Sequence, residues 1–191
     1  MYDDDDVGAL VHFFFIHRLD AASLLYRSKS ELGQPFIEDA ITVFHVTIDA
    51  FAHMFTGGAK NGYARWCEKF LRPEARGLPM RVRELVENRN ALVHSPNALP
   101  LEKLRERGLR AVMFHDAPHG AKETALHMKD YPVVHVVFSH FAAALMEAVD
   151  EFAAHASTDE RVAKNVVTSL ARRTFFISAN DLEAHRSRNE P

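Results

Sequence analysis

Apolar residues recur along most of the chain at the spacing of an α-helix. Between Ile37 and Phe55 they step by 4, 3, 4, 3 and 4 residues, and the same steps recur between Val134 and Phe152. Such steps place the apolar side chains on one face of a helix, where they can pack against a core. The pattern predicts helices over the ranges 5–30, 35–56, 60–71, 79–94, 99–107, from Pro132 through Phe152, and 158–173.

Glycine and proline mark the ends of several of these helices. Gly57-Gly58 ends the second helix, and Pro96 follows the fourth at a position that pushes Ser95 away from helical angles. Two stretches, 110–116 and 123–130, flank the sequence APHGAK and favour a hairpin or a long loop. We therefore expect an all-α fold, an antiparallel helical bundle with an inserted loop or β-hairpin around 108–130.

Composition is that of one ordinary globular domain. The chain has 191 residues, of which 47% are hydrophobic and 26% charged, so we expect a single domain over 1–191 with a polar tail at about 178–191. The single cysteine, Cys67, excludes an intramolecular disulfide and fits a reducing compartment. The first residues are acidic where a signal peptide would be basic. We expect a cytoplasmic protein with no membrane association.

Charge is distributed unevenly along the chain. Residues 1–60 hold 4 basic and 9 acidic residues, residues 61–110 hold 11 and 6, and residues 111–191 hold 8 and 11. The middle segment is therefore basic, at net +5, within a chain of net charge −3. Concentrated positive charge favours a polyanion such as nucleic acid, although arginines paired with glutamates on a solvated helix face would give the same count.

The stretch ELVENRNALVHS, residues 84–95, lies in this basic segment and brings Arg89, Asn90 and His94 close to the apolar stripe of a helix. A histidine in the last turn of a helix can exchange a proton near neutral pH. An arginine offers a planar, permanently charged fork that suits phosphate oxygens. Together these groups can cleave RNA without a metal, because the 2′-OH of the substrate supplies the nucleophile.

Helix geometry separates the two charged groups of this motif. Arg89 and His94 are five residues apart, about 140° around an ideal helix. They converge if the helix loosens near Ser95, or if two copies of the helix meet across a two-fold axis. The motif therefore predicts a homodimer.

The spacing of arginine and histidine alone carries no information, since it recurs by chance between Arg110 and His115. The fuller pattern has Asn90 after the arginine, two apolar residues before His94, and a helix breaker after it. In these features the chain resembles the HEPN superfamily, whose motif is Arg, a polar residue that is often Asn, and then His. The motif covers Arg89 to His94, and the helical architecture extends the resemblance loosely over 5–94 and 132–173.

The resemblance implies a helical bundle that dimerises with the motif at the interface. It also implies a metal-independent endoribonuclease without a cofactor, in which Arg89 and His94 are catalytic and Asn90 orients them or contacts phosphate. Many such proteins act as toxins or in antiviral defence with an antitoxin or defence-system partner. Others are non-catalytic modules that bind RNA or dimerise. HEPN toxins whose antitoxin modifies a tyrosine often carry that tyrosine two residues after the histidine, and here Pro96 stands there.

Three alternatives compete with this interpretation. The Arg-Asn pair can be structural, with His94 capping the last carbonyl groups of its helix. His115, Asp116 and His119 combine metal-ligand types at close spacing, although the sequence does not specify the complete set of three or more ligands that a metal needs. Tyr63 and Trp66 can stack on bases, or they can simply belong to the core, which is the commoner role of aromatics in a short helix.

Overall fold

The computed structural model describes residues 7–31, 35–94, 101–116 and 131–173. Within these ranges the protein is mostly helical, with one small parallel sheet. The elements in chain order are α1 Val7–Arg27, α2 Ile37–Thr56, α3 Gly62–Trp66, a π-helical turn Cys67–Leu71, a 3-10 turn Pro73–Arg76, α4 Val82–His94, α5 Leu101–Glu106, β1 Ala111–His115, β2 Val133–Val137, α6 Phe138–Ala156 and α7 Glu160–Arg173.

Helix α2 is the central element of the fold, in contact with α1, α3, α4, α6 and α7. Its apolar residues at helical spacing are buried from Ile41 to Phe55 and half-buried at Ile37, and Phe51 contacts the rings of Trp66 and Phe152 in the middle of the core. Gly57 ends the helix in the left-handed conformation, at φ 67°, and its N–H donates to the carbonyl of His53. The sequence pattern therefore identified the helix that organises the domain.

Most of the predicted helices are confirmed, with shifts of a few residues at their ends. The predicted helix 60–71 is divided into α3 and a π-helical turn, and residue Arg72 ends the turn with a positive φ of 42°. The arginines that follow form ion pairs with glutamates of α6, Arg72 with Glu151 and Arg76 with Glu147 and Glu151. The tail at 178–191 lies outside the described residues.

The predicted helix start at Pro132 is wrong. Residues 133–137 form strand β2, and α6 begins only at Phe138. Val133, Val134, Val136 and Val137 fit a helix by their spacing, but β-branched residues also pack well on a pleated sheet. Pairing with β1 decided between these two possibilities.

The hairpin or long loop predicted from 110–116 to 123–130 is not tested, because residues 117–130 lie outside the described residues. Strand β1 pairs with β2, in parallel, with Ala111 opposite Val133 and His115 opposite Val137. The sequence pattern did not predict this pair. A parallel pair needs a long crossover connection, and most of this one lies outside the described residues.

Helix α4 is joined to the start of β1 through a buried carboxylate. Glu84 has a fully buried side chain that accepts hydrogen bonds from Arg81, including the backbone N–H of Arg81, and from Arg110. Burial by itself raises the pKa of Glu84, but these bonds outweigh it and lower the pKa to about 2. The first turn of α4 is thereby held against the strand that follows α5.

Helix α1 packs against α2 and α6 through Val7, Val11, Phe15 and Ala22. By length and composition it is also the one helix of the described ranges that would be able to cross a membrane. Core helices of soluble proteins and N-terminal signal sequences pass the same test.

Candidate functional site

Helix α4 turns the consecutive residues Asn88 and Arg89 towards different surroundings. The helix presents Leu85 and Asn88 to the core, and Asn88 is only 3% exposed. Arg89 lies about 100° further around the helix, at the rim facing α2, where its side chain is 21% exposed. The site therefore has a buried layer and a surface layer, which meet on α4.

The surface layer is built on the guanidinium of Arg89. Its Nε and Nη2 donate to the same oxygen of Asp49, Oδ2, at 2.9 and 2.7 Å. Its Nη1 donates to Oδ1 of Asn90 at 2.9 Å. Its carbon Cζ lies 5.7 Å from the centre of the Tyr63 ring, which adds a cation–π contact. Asp49, Asn90 and Tyr63 thus fix the guanidinium from three directions.

This arrangement leaves part of the arginine open to a ligand. A guanidinium carries five N–H groups. Three donate to Asp49 and Asn90, so within the described part of the chain two have no protein acceptor, one on each terminal nitrogen. These two groups can donate to an anion such as a phosphate oxygen, although Asp49 offsets the positive charge that would attract it.

The predicted site residues are brought together in part. Arg89 contacts Asn90 directly, so the guanidinium reaches over the helix surface towards the face on which Asn90 and His94 lie, four residues apart. His94 is the last residue of α4, as predicted. Its side chain lies outside the described residues, so its convergence with Arg89 stays a prediction.

The buried layer is a chain of hydrogen bonds that crosses the core beneath Arg89. The imidazole of His45 is fully buried, with Nδ1 2.7 Å from the hydroxyl of Tyr63 and Nε2 2.9 Å from Oδ1 of Asn88. Nδ2 of Asn88 donates to the carbonyl of Val112 in β1 at 3.2 Å. Tyr63 also shares a hydrogen bond with the thiol of Cys67. The chain links α2, α3, α4, β1 and the π-helical turn.

The direction of every bond in this buried chain follows from one carbonyl group. Because the backbone oxygen of Val112 can only accept, the Asn88 amide nitrogen faces it, and the Asn88 oxygen faces His45. Nε2 of a neutral His45 must then carry the proton, which leaves Nδ1 to accept from the Tyr63 hydroxyl. The Cys67 thiol in turn donates to the Tyr63 oxygen. All the donors and acceptors named here are satisfied.

Burial keeps this chain uncharged near neutral pH. It lowers the pKa of His45 to about 4, and the positive charge of Arg89 adds to the lowering, while the hydrogen bond to Asn88 acts against it. Burial also raises the pKa of the Tyr63 hydroxyl and of the Cys67 thiol well above their usual values. None of the three is suited to exchange protons with a substrate.

The aromatic pair of the basic segment belongs to the core. Tyr63 is 8% exposed and Trp66 is fully buried, with Trp66 packed against Phe51, Phe70 and Phe152. Stacking of either ring on a base is therefore excluded in this conformation. Tyr63 instead serves both layers, since its hydroxyl enters the buried chain and its ring faces Arg89.

The histidines considered as metal ligands have different partners. Nε2 of His115 lies 2.7 Å from Nδ1 of His135 on the neighbouring strand, and burial together with His135 lowers the pKa of His115. Asp116 accepts a hydrogen bond from Tyr26, which raises the pKa of Tyr26 to about 12. His119 lies outside the described residues. Among those that are described, no group of three or more His, Cys, Asp or Glu side chains is arranged to hold a metal.

Sequence reasoning missed Asp49, His45 and Asn88. His45 and Asp49 are four residues apart, so they lie on the same side of α2, one helical turn apart along its axis. They are the two ionisable residues of the stretch 40–52, which is otherwise rich in apolar side chains, and this spacing was a usable signal. Asn88 gave no such signal, because its role depends on a carbonyl group 24 residues away in β1.

Comparisons with known proteins add no relationship. The sequence matches no family model and no curated protein, and the fold matches no solved structure. The interpretation of the site therefore rests on its geometry and on its motif.

Proposed function

We propose that this protein is a metal-independent endoribonuclease of HEPN type, which acts as a homodimer in a toxin or antiviral role. One observation carries the proposal. At the surface of α4 an arginine is held from three sides, keeps two N–H groups that have no acceptor among the described residues, and reaches towards Asn90, one helical turn before His94. An arginine fixed in this way is prepared to bind phosphate before the substrate arrives.

The reaction requires no group beyond the RNA and the motif. The 2′-oxygen of the substrate attacks the adjacent phosphorus, the bond from phosphorus to the 5′-oxygen breaks, and a 2′,3′-cyclic phosphate forms. Arg89 stabilises the negative charge that develops on the non-bridging oxygens. His94 takes the proton of the attacking hydroxyl or gives one to the leaving 5′-oxygen. DNA lacks the 2′-OH and is not cleaved.

A second copy of α4 fits this scheme. Arg89 and His94 of one chain lie about 140° apart on an ideal helix, and the reach of the guanidinium to Asn90 covers only part of that angle. In a two-fold pair, Arg89 of one chain and His94 of the other can face the same groove between the two copies of α4. The proposed partners are therefore RNA and a second copy, together with an antitoxin or a defence-system protein that controls them.

Cleavage of a fluorophore-labelled single-stranded RNA in the presence of EDTA tests the proposal. We expect the wild-type protein to cut and His94→Ala to lose roughly a hundredfold or more of the rate, the usual contribution of a general acid or base. His53→Ala is the matched control, since His53 is an exposed histidine in the last turn of another helix, α2. If wild type cuts no faster than His94→Ala, catalysis by this site is wrong.

A non-catalytic module for RNA binding or dimerisation is the second candidate. The ion pair between Arg89 and Asp49 favours it, because Asp49 offsets part of the positive charge that Arg89 would need to stabilise a reacting phosphate. This candidate expects RNA binding or dimer formation that survives His94→Ala, and no cleavage by either protein. The same assay, with binding measured in parallel, separates the two.

A further inference from the structure

Asp49 holds Arg89 in an asymmetric way. Both hydrogen bonds from the guanidinium reach Oδ2 of Asp49, and among the described residues none reaches Oδ1. The two side chains are 31% and 21% exposed, so the pair lies at the surface and not in the core. An ion pair in such a position is strong enough to orient a side chain but weak enough for a competing anion to displace.

The contact determines where the free part of the guanidinium points. Arginine has a long, flexible stem, and Asp49 fixes the Nε edge while Asn90 fixes Nη1. The Tyr63 ring covers one face of the guanidinium. Without Asp49, the Nε edge loses its anchor and the two free N–H groups no longer have a single direction.

The same contact opposes phosphate binding. The carboxylate of Asp49 lies 2.7 Å from Nη2, next to the place where a phosphate bound by the terminal nitrogens would bring its own negative charge. The negative charges of the carboxylate and of a phosphate on the same guanidinium repel each other. Asp49 therefore improves the direction of Arg89 while it weakens the affinity of Arg89 for phosphate.

We propose that Asp49 is the positioning residue of this site, which orients Arg89 for the phosphate of RNA and competes with that phosphate for the guanidinium. The part of this inference that concerns cleavage rests on the proposed ribonuclease function, whereas the part that concerns binding does not. Substitution of Asp49 should then separate binding from turnover, giving tighter binding and slower cleavage.

The first experiment measures binding to a 2′-O-methyl RNA, which has no free 2′-OH and cannot be cut. We expect Asp49→Asn to bind it roughly threefold more tightly than wild type at low salt, the scale of an exposed ion pair. In an Arg89→Gln background the substitution should have no effect, because there is no longer a guanidinium to release. Unchanged affinity, or a gain that persists without Arg89, would overturn the inference.

The second experiment measures cleavage of the unmodified RNA by the same proteins. We expect kcat of Asp49→Asn and Asp49→Ala to fall roughly 10- to 100-fold, as for a misdirected catalytic group, while KM falls with the tighter binding. A purely structural role would lower the apparent kcat in proportion to the fraction of folded protein and would leave KM unchanged. A rise in kcat would also overturn the inference, since it would mean that Asp49 only inhibits.

Asp150→Asn is the matched control for both experiments. It removes the same charge from an exposed position on α6, where the side chain of Asp150 is 71% exposed, and should change neither affinity nor kcat by more than a small factor. The outcomes also distinguish the two proposals. If no protein cleaves RNA but the binding results hold, the ribonuclease is wrong and Asp49 still competes with phosphate for Arg89.

Discussion

Asn88 and Arg89 are neighbours in the chain and belong to two regions with opposite characters. In the buried chain of Cys67, Tyr63, His45, Asn88 and Val112 each polar side-chain atom has a hydrogen-bond partner, and burial keeps the chain uncharged. The surface layer of Arg89, Asp49 and Asn90 is charged, part-exposed and incompletely bonded. A buried network in which the polar atoms are all paired stabilises the fold. In a part-exposed network with unpaired donors, a ligand can replace one of the protein partners.

A helix that packs against the core can also carry a functional residue at the rim of its buried face. The buried chain fixes α4 against α2 and β1, so the rim residue next to Asn88 has a defined position. We therefore expect substitutions in the buried chain to change stability and substitutions in the surface layer to change activity. Substitutions in either layer test that division.

Arg89→Ala should have the largest effect, on cleavage. We expect kcat to fall roughly 10²- to 10³-fold, the loss found when one donor to a developing negative charge is removed. Arg65→Ala is a suitable control, since Arg65 is an exposed arginine of the same basic segment on α3. Cleavage that survives Arg89→Ala would remove the surface layer from the reaction.

Asn88→Ala should have the largest effect on stability. It leaves Nε2–H of His45 and the carbonyl of Val112 without partners in the core, which together cost roughly 2–4 kcal/mol of unfolding free energy. Urea denaturation measures this loss, with Asn90→Ala as the part-exposed comparison, expected within about 1 kcal/mol of wild type. Equal losses for the two asparagines would contradict the division between the layers.

The buried chain should also make stability depend on pH. The pKa of His45 is about 4 in the folded protein and near 6.5 when unfolded, so the unfolded state binds a proton first as pH falls. The contribution of His45 to the unfolding free energy is then fully present above about pH 6.5. It is lost as the pH falls from about 6.5 to about 4, and below about pH 4 there is no further loss. Between pH 7 and pH 5 the loss is roughly 2 kcal/mol.

Comparison with His45→Gln isolates this contribution, because other histidines with lowered pKa values, such as His115, act in the same direction. The variant should be less stable throughout but should lack the part of the pH dependence that His45 supplies. If wild type and variant lose the same free energy between pH 7 and pH 5, His45 is not held neutral by burial.

Asn90→Ala should have the smallest effect of the series. It removes the acceptor for Nη1 of Arg89 but leaves Asp49 and Tyr63 in place, so the guanidinium keeps two of its three anchors. We expect kcat to fall by roughly three- to tenfold, the equivalent of about one hydrogen bond. A loss as large as that of Arg89→Ala would give Asn90 a direct role at the phosphate.

Much of the helical fold was predictable because burial repeats at helical spacing in α2, α6 and the shorter helices. The error at residues 133–137 has a physical cause. A short run of valines satisfies both helix and strand, and its pairing with β1 depends on a segment distant in the sequence. Local spacing contains no information about such a partner.

The candidate site was predictable where it is local and hidden where it is not. Arg89, Asn90 and His94 lie on one helix, and their pattern was visible in the sequence. Asp49, His45 and Tyr63 come from other helices and reach the motif only after the core has formed. The sequence therefore pointed to the residues that we propose to meet a phosphate, but not to those that hold Arg89 in place.

The most direct test of the proposed function is the chemical identity of the ends left on a single-stranded RNA after incubation with the wild-type protein in EDTA. Attack by the 2′-OH predicts a 2′,3′-cyclic phosphate and a 5′-hydroxyl, both absent when His94→Ala replaces wild type. A 3′-hydroxyl with a 5′-phosphate, or the same ends from His94→Ala, would contradict the account.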